Sequence, residues 1–204
     1  MRWKKLLLLV CLFLLLGAVT VWASDTYEWY RGKPVSVFIN DQQVNTRGLL
    51  MQMGNDSKVM MPLRDVADML QAMVTWNADT QTVRMYKPNV HIFLSTMNKD
   101  GSFGTFGKVY HKEKHDFFIF TQIDSLVRDV HSLKFEILDP NGKKVYEHEH
   151  VLNGTTDDVL WVRTPNIQLE FAHRGEYKVK LYMKLSASSP YHPVSEKVFH
   201  SSSR

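Results

Sequence analysis

Residues 59–85, VMMPLRDVADMLQAMVTWNADTQTVRM, contain the signals of a strand, a helix and a hairpin in one short span. Residues 59–61 are a short apolar strand candidate. Pro62 marks a helix start, because a residue of the first helical turn needs no backbone N–H. Apolar side chains then recur at helical spacing, which predicts an amphipathic helix with one buried face. That face consists of Leu63, Val66, Ala67, Leu70 and Met73 or Val74.

The residues after the predicted helix have the pattern of a hairpin. Residues 74–76 are extended, residues 77–79 have turn composition, and residues 82–86 form the returning strand. Trp76 is expected to cover the helix face, and burying a large apolar side chain contributes roughly 1.5–3 kcal/mol. Arg64 is expected to hydrogen-bond backbone carbonyls at the strand ends. Structural roles, and no catalytic role, are therefore assigned to Pro62, Leu63, Arg64, Val66, Leu70 and Trp76.

A second hairpin is predicted upstream. VFINDQQV (37–44) has two extended halves around Asn40-Asp41, which is turn chemistry, and GNDSK (54–58) is a further turn cluster. A strand at residues 90–94 follows the downstream hairpin. The resulting order is two strands, a strand leading into one helix, and a hairpin.

This order, with its sequence motifs, resembles the copper amine oxidase N-terminal-like domain over about residues 33–95. That stalk-type domain is common in secreted and surface proteins of Gram-positive bacteria. The motifs that carry the resemblance are MPLR (61–64), LQA (70–72), VTWN (74–77) and TQTV (80–83). Gln71 replaces the usual glycine, so the helix end is expected to turn differently. The resemblance implies a fold rather than an activity, because the oxidase's copper ligands and quinone cofactor belong to a separate catalytic domain. No cofactor is expected here.

The rest of the chain predicts a second module. Residues 96–113 are Gly-rich and polar, which indicates a linker, and GSFGTFG within them lacks the lysine and helix of a nucleotide loop. Short strands separated by turns every 8 to 15 residues over 114–204 indicate an antiparallel, immunoglobulin-like β-sandwich. One edge strand at residues 197–199 is expected before the tail frays. The predicted fold class is α+β: a small antiparallel-sheet domain with one helix (24–95), then the all-β sandwich.

The N-terminus has the features of an export signal. Arg2, Lys4 and Lys5 precede an apolar run that ends near Ala23, which predicts a secretory signal peptide over residues 1–23, with an uncleaved membrane anchor as the alternative. Cys11 lies inside that run, so the cleaved chain has no cysteine and forms no disulfide. Removing the leader's three basic residues from 25 Lys+Arg leaves 22 against 21 Asp+Glu, a net +1, which argues against nucleic-acid binding.

Few residues indicate chemistry. His148 and His150 point to the same side of a predicted strand and are candidate metal ligands, although no third ligand is identified and a solvated strand face is the alternative reading. Trp29, Phe103 and Phe106 are candidates for surface binding, whereas Trp76 and Trp161 are expected in the core.

These features predict an exported, non-enzymatic binding and spacer protein of the cell envelope that engages a cell-wall polymer or a protein partner. One alternative is a secreted hydrolase or metal-dependent enzyme with a dispersed site. Another is a regulatory partner of an exported protein, docked through a sheet edge. An enzyme should show convergent polar groups with shifted pKa values in a pocket. A binding module should show an exposed aromatic patch or an open sheet edge.

Overall fold

The computed structural model describes residues 32–155 and 158–204, which are mostly strands with one short helix. The predicted leader (1–23) and Trp29 lie outside these residues. No helix within the described residues is long and apolar enough to cross a membrane. The chain divides into two units, residues 1–66 and 67–204, and the division falls inside the helix.

The first unit contains a three-stranded sheet, in the order β1-β4-β5, and a separate hairpin, β2-β3. Asn40 and Asp41 between β2 and β3 have φ of 50° and 61°, as in the two-residue turns that hairpins favour, and this confirms the predicted turn. Gly54-Asn55 joins β4 to β5, so the second turn is shorter than predicted. The strands are β1 (Lys33–Val35), β2 (Phe38–Ile39), β3 (Gln42–Gln43), β4 (Gly48–Met53) and β5 (Asp56–Met60).

Helix α1 (Leu63–Met69) follows Pro62 as predicted but is only seven residues long. It ends before Met73, because the next residues close it in a capping motif. The Gln71 N–H donates to the Asp68 carbonyl at 3.1 Å, and the Ala72 N–H donates to the Ala67 carbonyl at 2.8 Å. Gln71 has φ of 57°. It therefore adopts the left-handed conformation that glycine usually supplies at this position, and the expectation of a different helix end is wrong.

After the end of α1, the second unit continues with the predicted hairpin, β6 (Met73–Asn77) and β7 (Thr82–Tyr86). The Thr80 N–H donates to Asn77 Oδ1 at 2.9 Å in the turn of this hairpin. Two sheets follow. Sheet I has the strand order β10-β17-β16-β12-β13, and sheet II has the order β14-β11-β8-β9, with β15 also paired to β11. Their strands are β8 (Asn89–Met97), β9 (Phe103–Phe106), β10 (Lys108–Tyr110), β11 (Lys114–Asp124), β12 (Val130–Leu138), β13 (Lys144–Thr155), β14 (Leu160–Arg163), β15 (Ile167–Glu170), β16 (Gly175–Lys184) and β17 (His192–Ser202).

The inward side chains of both sheets form one hydrophobic core. Phe117 and Ile119 of sheet II and Phe135 and Leu181 of sheet I are each at most 2% exposed. Alternation along each strand produces this arrangement, since every second side chain of a strand points to the same face. The predicted strand-rich second half is confirmed.

The stretch 96–113, predicted as a linker, supplies strands to the two sheets. Strand β9 pairs with β8, with Phe103 opposite Met97, and β10 pairs in parallel with β17, with Lys108 opposite His200. Gly101, with φ of 82°, turns the chain between β8 and β9. The glycines of this stretch therefore serve a hairpin inside the second unit, and the predicted linker is wrong.

The C-terminal tail is also more ordered than predicted. Strand β17 has eleven residues and lies between β16 and β10, so it is an inner strand of sheet I. Its Phe199 is fully buried. The prediction of a three-residue edge strand followed by fraying is wrong.

Candidate binding face

The outward side of sheet II is rich in aromatic side chains. Strand β11 buries Phe117 and Ile119 in the core, so the alternating Phe118 and Phe120 point to the opposite face. Strands β8, β9 and β14 add further outward rings beside them. We call this surface the aromatic face, and its rings are Phe93, Phe103, Phe118, Phe120 and Trp161.

The rings of the aromatic face pack on one another, and three of them remain open to solvent, whereas Phe118 is only 3% exposed. Phe103 and Phe118 meet edge to face with ring centroids 5.5 Å apart, and Phe120 and Trp161 lie at the same separation. Phe103 is nevertheless 62% exposed, Trp161 60% and Phe93 41%. Contiguous exposed apolar patches are uncommon on monomeric proteins and mark interaction sites.

A cleft of about 290 Å³ lies within the aromatic face. The surface of the cleft is almost entirely apolar, and four of the five rings line it together with Ser95, Thr105 and Arg163. The Arg163 guanidinium carbon lies 4.0 Å from the centroid of the Phe118 ring, and its Nη2 donates to Asn166 Oδ1 at 2.7 Å. Arg163 is the one charged residue among those that line this cleft.

The outward side of sheet I has the opposite character. Its lysines and glutamates pair with one another: Lys134 with Glu136 at 2.8 Å, and Lys178 with Glu196 at 3.3 Å. Burial, then the neighbouring Glu136 carboxylate, raises the pKa of Tyr182 to about 12. These charged groups pair with one another within the protein, whereas the rings of Phe103 and Trp161 are more than half exposed.

The predicted binding residues divide between surface and core. Phe103 lies on the aromatic face. Phe106, three residues later, points inward and packs edge to face on Phe117 with ring centroids 5.5 Å apart, so its predicted surface role is wrong.

Trp161 was expected in the core and is exposed, which corrects that prediction. Phe93, Phe118 and Phe120 were missed. The run FFIF (117–120), apolar on both faces of one strand, was the available signal.

The residues assigned to structural support differ from prediction as well. Leu63 is 38% exposed and Leu70 39%, and Arg64 is exposed, with no hydrogen bond or ion pair to any described residue. Trp76 is 54% exposed, so the prediction that it is buried is wrong. Pro62 keeps its role at the helix start, where its carbonyl accepts the Val66 N–H at 3.3 Å.

Trp76 instead lines an open pocket of about 550 Å³ in the second unit, which we call the Trp76 pocket. Two arginines, Arg84 and Arg128, and the polar side chain of Asn77 share its lining. Arg128 is fixed by its Nε, which donates to the Tyr86 hydroxyl at 3.0 Å, and its guanidinium lies 5.4 Å from the Tyr86 ring. Asp129 also lines the pocket, so two positive charges and one negative charge lie beside the exposed indole.

His148 and His150 lie on β13 opposite Phe135 and Leu133, and both are half-buried. Burial, then the charge of His150, lowers the pKa of His148. Within residues 32–155 and 158–204, no group of three histidine, cysteine, aspartate or glutamate residues is placed to hold a metal ion. Two imidazoles alone do not make a closed site for Zn²⁺, which takes four ligands.

Residues 38–102 match the family of the copper amine oxidase N-terminal domain. The match confirms the resemblance drawn from the sequence motifs, and it runs from β2 through the hairpin into the loop after β8. That domain is a non-catalytic, stalk-type domain, and no catalytic family is indicated. No curated protein matches the chain.

Proposed function

We propose that this chain is an exported, non-enzymatic binding protein of a bacterial cell envelope, and that its aromatic face holds a protein partner. The exposure of Phe103 and Trp161 on a sheet face whose cleft is lined by one charged residue, Arg163, carries the proposal. Tryptophan, phenylalanine and arginine are enriched at protein interfaces, whereas lysine and glutamate are depleted there. The aromatic face has this composition, and the outward side of sheet I has the reverse.

Two further observations support the proposal. The segment matched to a known family is a non-catalytic domain. The basic residues and apolar run at the N-terminus have the order of an export signal, and this order supports a partner outside the cytoplasm. In a Gram-positive envelope such a partner is another exported protein.

A capture experiment with matched tryptophan variants tests the proposal. The full-length chain and its Trp161→Ser variant are immobilised and exposed to the exported proteins of the host, and bound proteins are quantified. We expect the unchanged chain to retain one partner in stoichiometric amount and the variant to lose that partner. An interface residue of this type commonly contributes about 2 kcal/mol or more to binding, which is roughly thirtyfold in affinity. Trp76→Ser, which removes an equally exposed indole elsewhere, should retain the partner. Equal capture by Trp161→Ser and the unchanged chain would refute the proposal.

A second candidate function is favoured by the Trp76 pocket, namely binding of an anionic envelope polymer. Its indole offers a surface for stacking, and Arg84 and Arg128 offer charge to phosphate or carboxylate groups. Sedimentation with purified cell-wall material tests this function. Trp76→Ser should lower the bound fraction and Trp161→Ser should not, so the two tryptophans serve as controls for each other.

A further inference from the structure

We infer that the cleft in the aromatic face recognises a polypeptide segment in which an apolar side chain stands beside a carboxylate, and that Arg163 binds that carboxylate. The inference rests on the proposed function, since it requires the aromatic face to be the binding site. It adds the chemistry of the partner and assigns a specificity role to one residue.

The walls of the cleft select an apolar group. The rings of Phe93, Phe103 and Phe118 line the cleft, and Ser95 and Thr105 are the uncharged polar residues of the lining. At about 30 Å³ for each water, 290 Å³ corresponds to roughly ten waters, the lower end of ligand-sized pockets. One or two apolar side chains fill that space. A sugar ring in the same space would leave most of its hydroxyls without partners, which is costly.

The position of Arg163 selects a negative charge. Its guanidinium stacks on Phe118 at 4.0 Å and is tied to Asn166 at 2.7 Å, so the side chain is held in place before a ligand arrives. A guanidinium has five N–H donors in a planar fork, and this fork matches a carboxylate with two parallel hydrogen bonds. No acidic residue lines the cleft to neutralise it. The charge of the occupant is therefore negative.

The surroundings of the cleft favour a polypeptide over a small amphiphile. Trp161 on one side and Met97 on another are 60% and 53% exposed, and both extend the apolar surface beyond the cleft. A partner that covers them needs a broad surface with a projecting anchor. Protein interfaces have this form, with a central buried anchor and a surrounding region that excludes water.

Peptide titration of the full-length chain tests the inference. The probes are acetyl-Ala-Leu-Phe with a free C-terminal carboxylate and the same peptide as its C-terminal amide, followed by ¹⁵N–¹H spectra. The acid should bind about tenfold more tightly than the amide, because a charge-assisted pair is lost in the amide. Both should shift the amide signals of β8, β9 and β11.

Variants separate the two parts of the site. Arg163→Gln should bind acid and amide equally, and Arg163→Lys should recover only part of the preference for the acid, since lysine lacks the fork. Phe103→Ser should weaken both peptides, whereas Phe38→Ser, which removes a similarly exposed ring from β2, should change neither. The spectrum of each variant without peptide shows whether it is folded.

Three outcomes would overturn the inference, and they show separately whether the proposed function fails with it. Equal binding of acid and amide by the unchanged chain refutes carboxylate recognition while retaining the face as a site. If an N-acetylglucosamine oligomer shifts the signals of the aromatic face and neither peptide does, the ligand of this face is a glycan and not a polypeptide. Absence of any shift at this face, together with partner capture that survives Trp161→Ser, removes the proposed function itself.

Discussion

The N–H of Ala72 donates to the carbonyl oxygen of Ala67 at 2.8 Å, and this bond closes the C-terminal end of helix α1. Both alanines are 1% exposed, so the bond lies in a protected environment. The turn between them requires a left-handed residue, which is Gln71 with φ of 57°. A residue with a Cβ is disfavoured in that conformation by roughly 1–2 kcal/mol relative to the right-handed one.

Gln71→Gly should therefore stabilise the protein by up to about 1 kcal/mol, because glycine adopts positive φ without the steric cost. Gln71→Val should destabilise it, since β-branched residues tolerate this region least. Urea unfolding gives the free energy of unfolding for each variant. Gln168→Gly, a change of the same kind on an exposed strand position, should be destabilising. A loss of stability in Gln71→Gly would contradict the role given to this turn.

The two phenylalanines of the sequence FGTF (103–106) should differ in their contribution to stability. Phe103→Ala should lower the free energy of unfolding by less than about 1 kcal/mol, because its ring is 62% exposed. Phe106→Ala should cost roughly 3 kcal/mol, because its ring packs against Phe117 and Phe199 in the core. Thermal and urea unfolding measure both. Equal decreases in the free energy of unfolding would mean that Phe103 is buried in the core and that the aromatic face is not exposed to solvent.

Removal of residues 192–204 should abolish the cooperative fold of the second unit. Strand β17 pairs with both β16 and β10, and its loss exposes the backbone of both neighbours and the space filled by Phe199. Amide signal dispersion and resistance to a protease report the outcome. Removal of residues 203–204 alone serves as the control and should leave the spectrum unchanged. A well-dispersed spectrum from the chain that lacks residues 192–204 would show that β17 is not needed for the fold, as expected of a frayed tail.

Stability should fall as the pH decreases below about 6.5, the ordinary pKa of histidine. Burial lowers the pKa of His148 in the folded protein, so the unfolded chain takes up the proton first as the pH falls. The contribution of this group is therefore complete above the unfolded pKa and declines between the unfolded and the folded values. Urea midpoints at about pH 7.5 and about pH 5.5 measure the decline.

Substitution of the histidine identifies the responsible group. His148→Gln should reduce the difference between the two pH values, whereas His200→Gln, at an exposed position of β17, should leave it intact. An unchanged difference in His148→Gln would assign the pH dependence to other groups.

Local signals in the sequence predicted local structure well. Asn40-Asp41 and the turn that begins at Asn77 are where the chain reverses, because their residue types tolerate these backbone conformations. Pro62 likewise marked the helix start. The helix end was missed because Gln71 lacks the glycine signal although it takes the same conformation.

Longer-range pairing was not predictable from local patterns. Strand β10 has only three residues and borders Gly107, so its composition indicated a linker, and only its parallel partner β17 makes it a strand. Trp161 alternates with buried Leu160 and Val162, and this alternation did indicate an outward position. The general tendency of tryptophan to be buried outweighed that pattern in the prediction. The candidate site was therefore visible only in part, through Phe103.

The parallel pairing of Lys108–Tyr110 with residues 200–202 also sets the order in which the chain can mature. Contacts between residues so distant along the sequence form late, because the entropy of closing a long loop is lost before the contact stabilises the chain. A nascent chain that has released β10 through β16 still lacks the strand that joins them. Sheet I therefore stays incomplete until residues 192–202 have been synthesised.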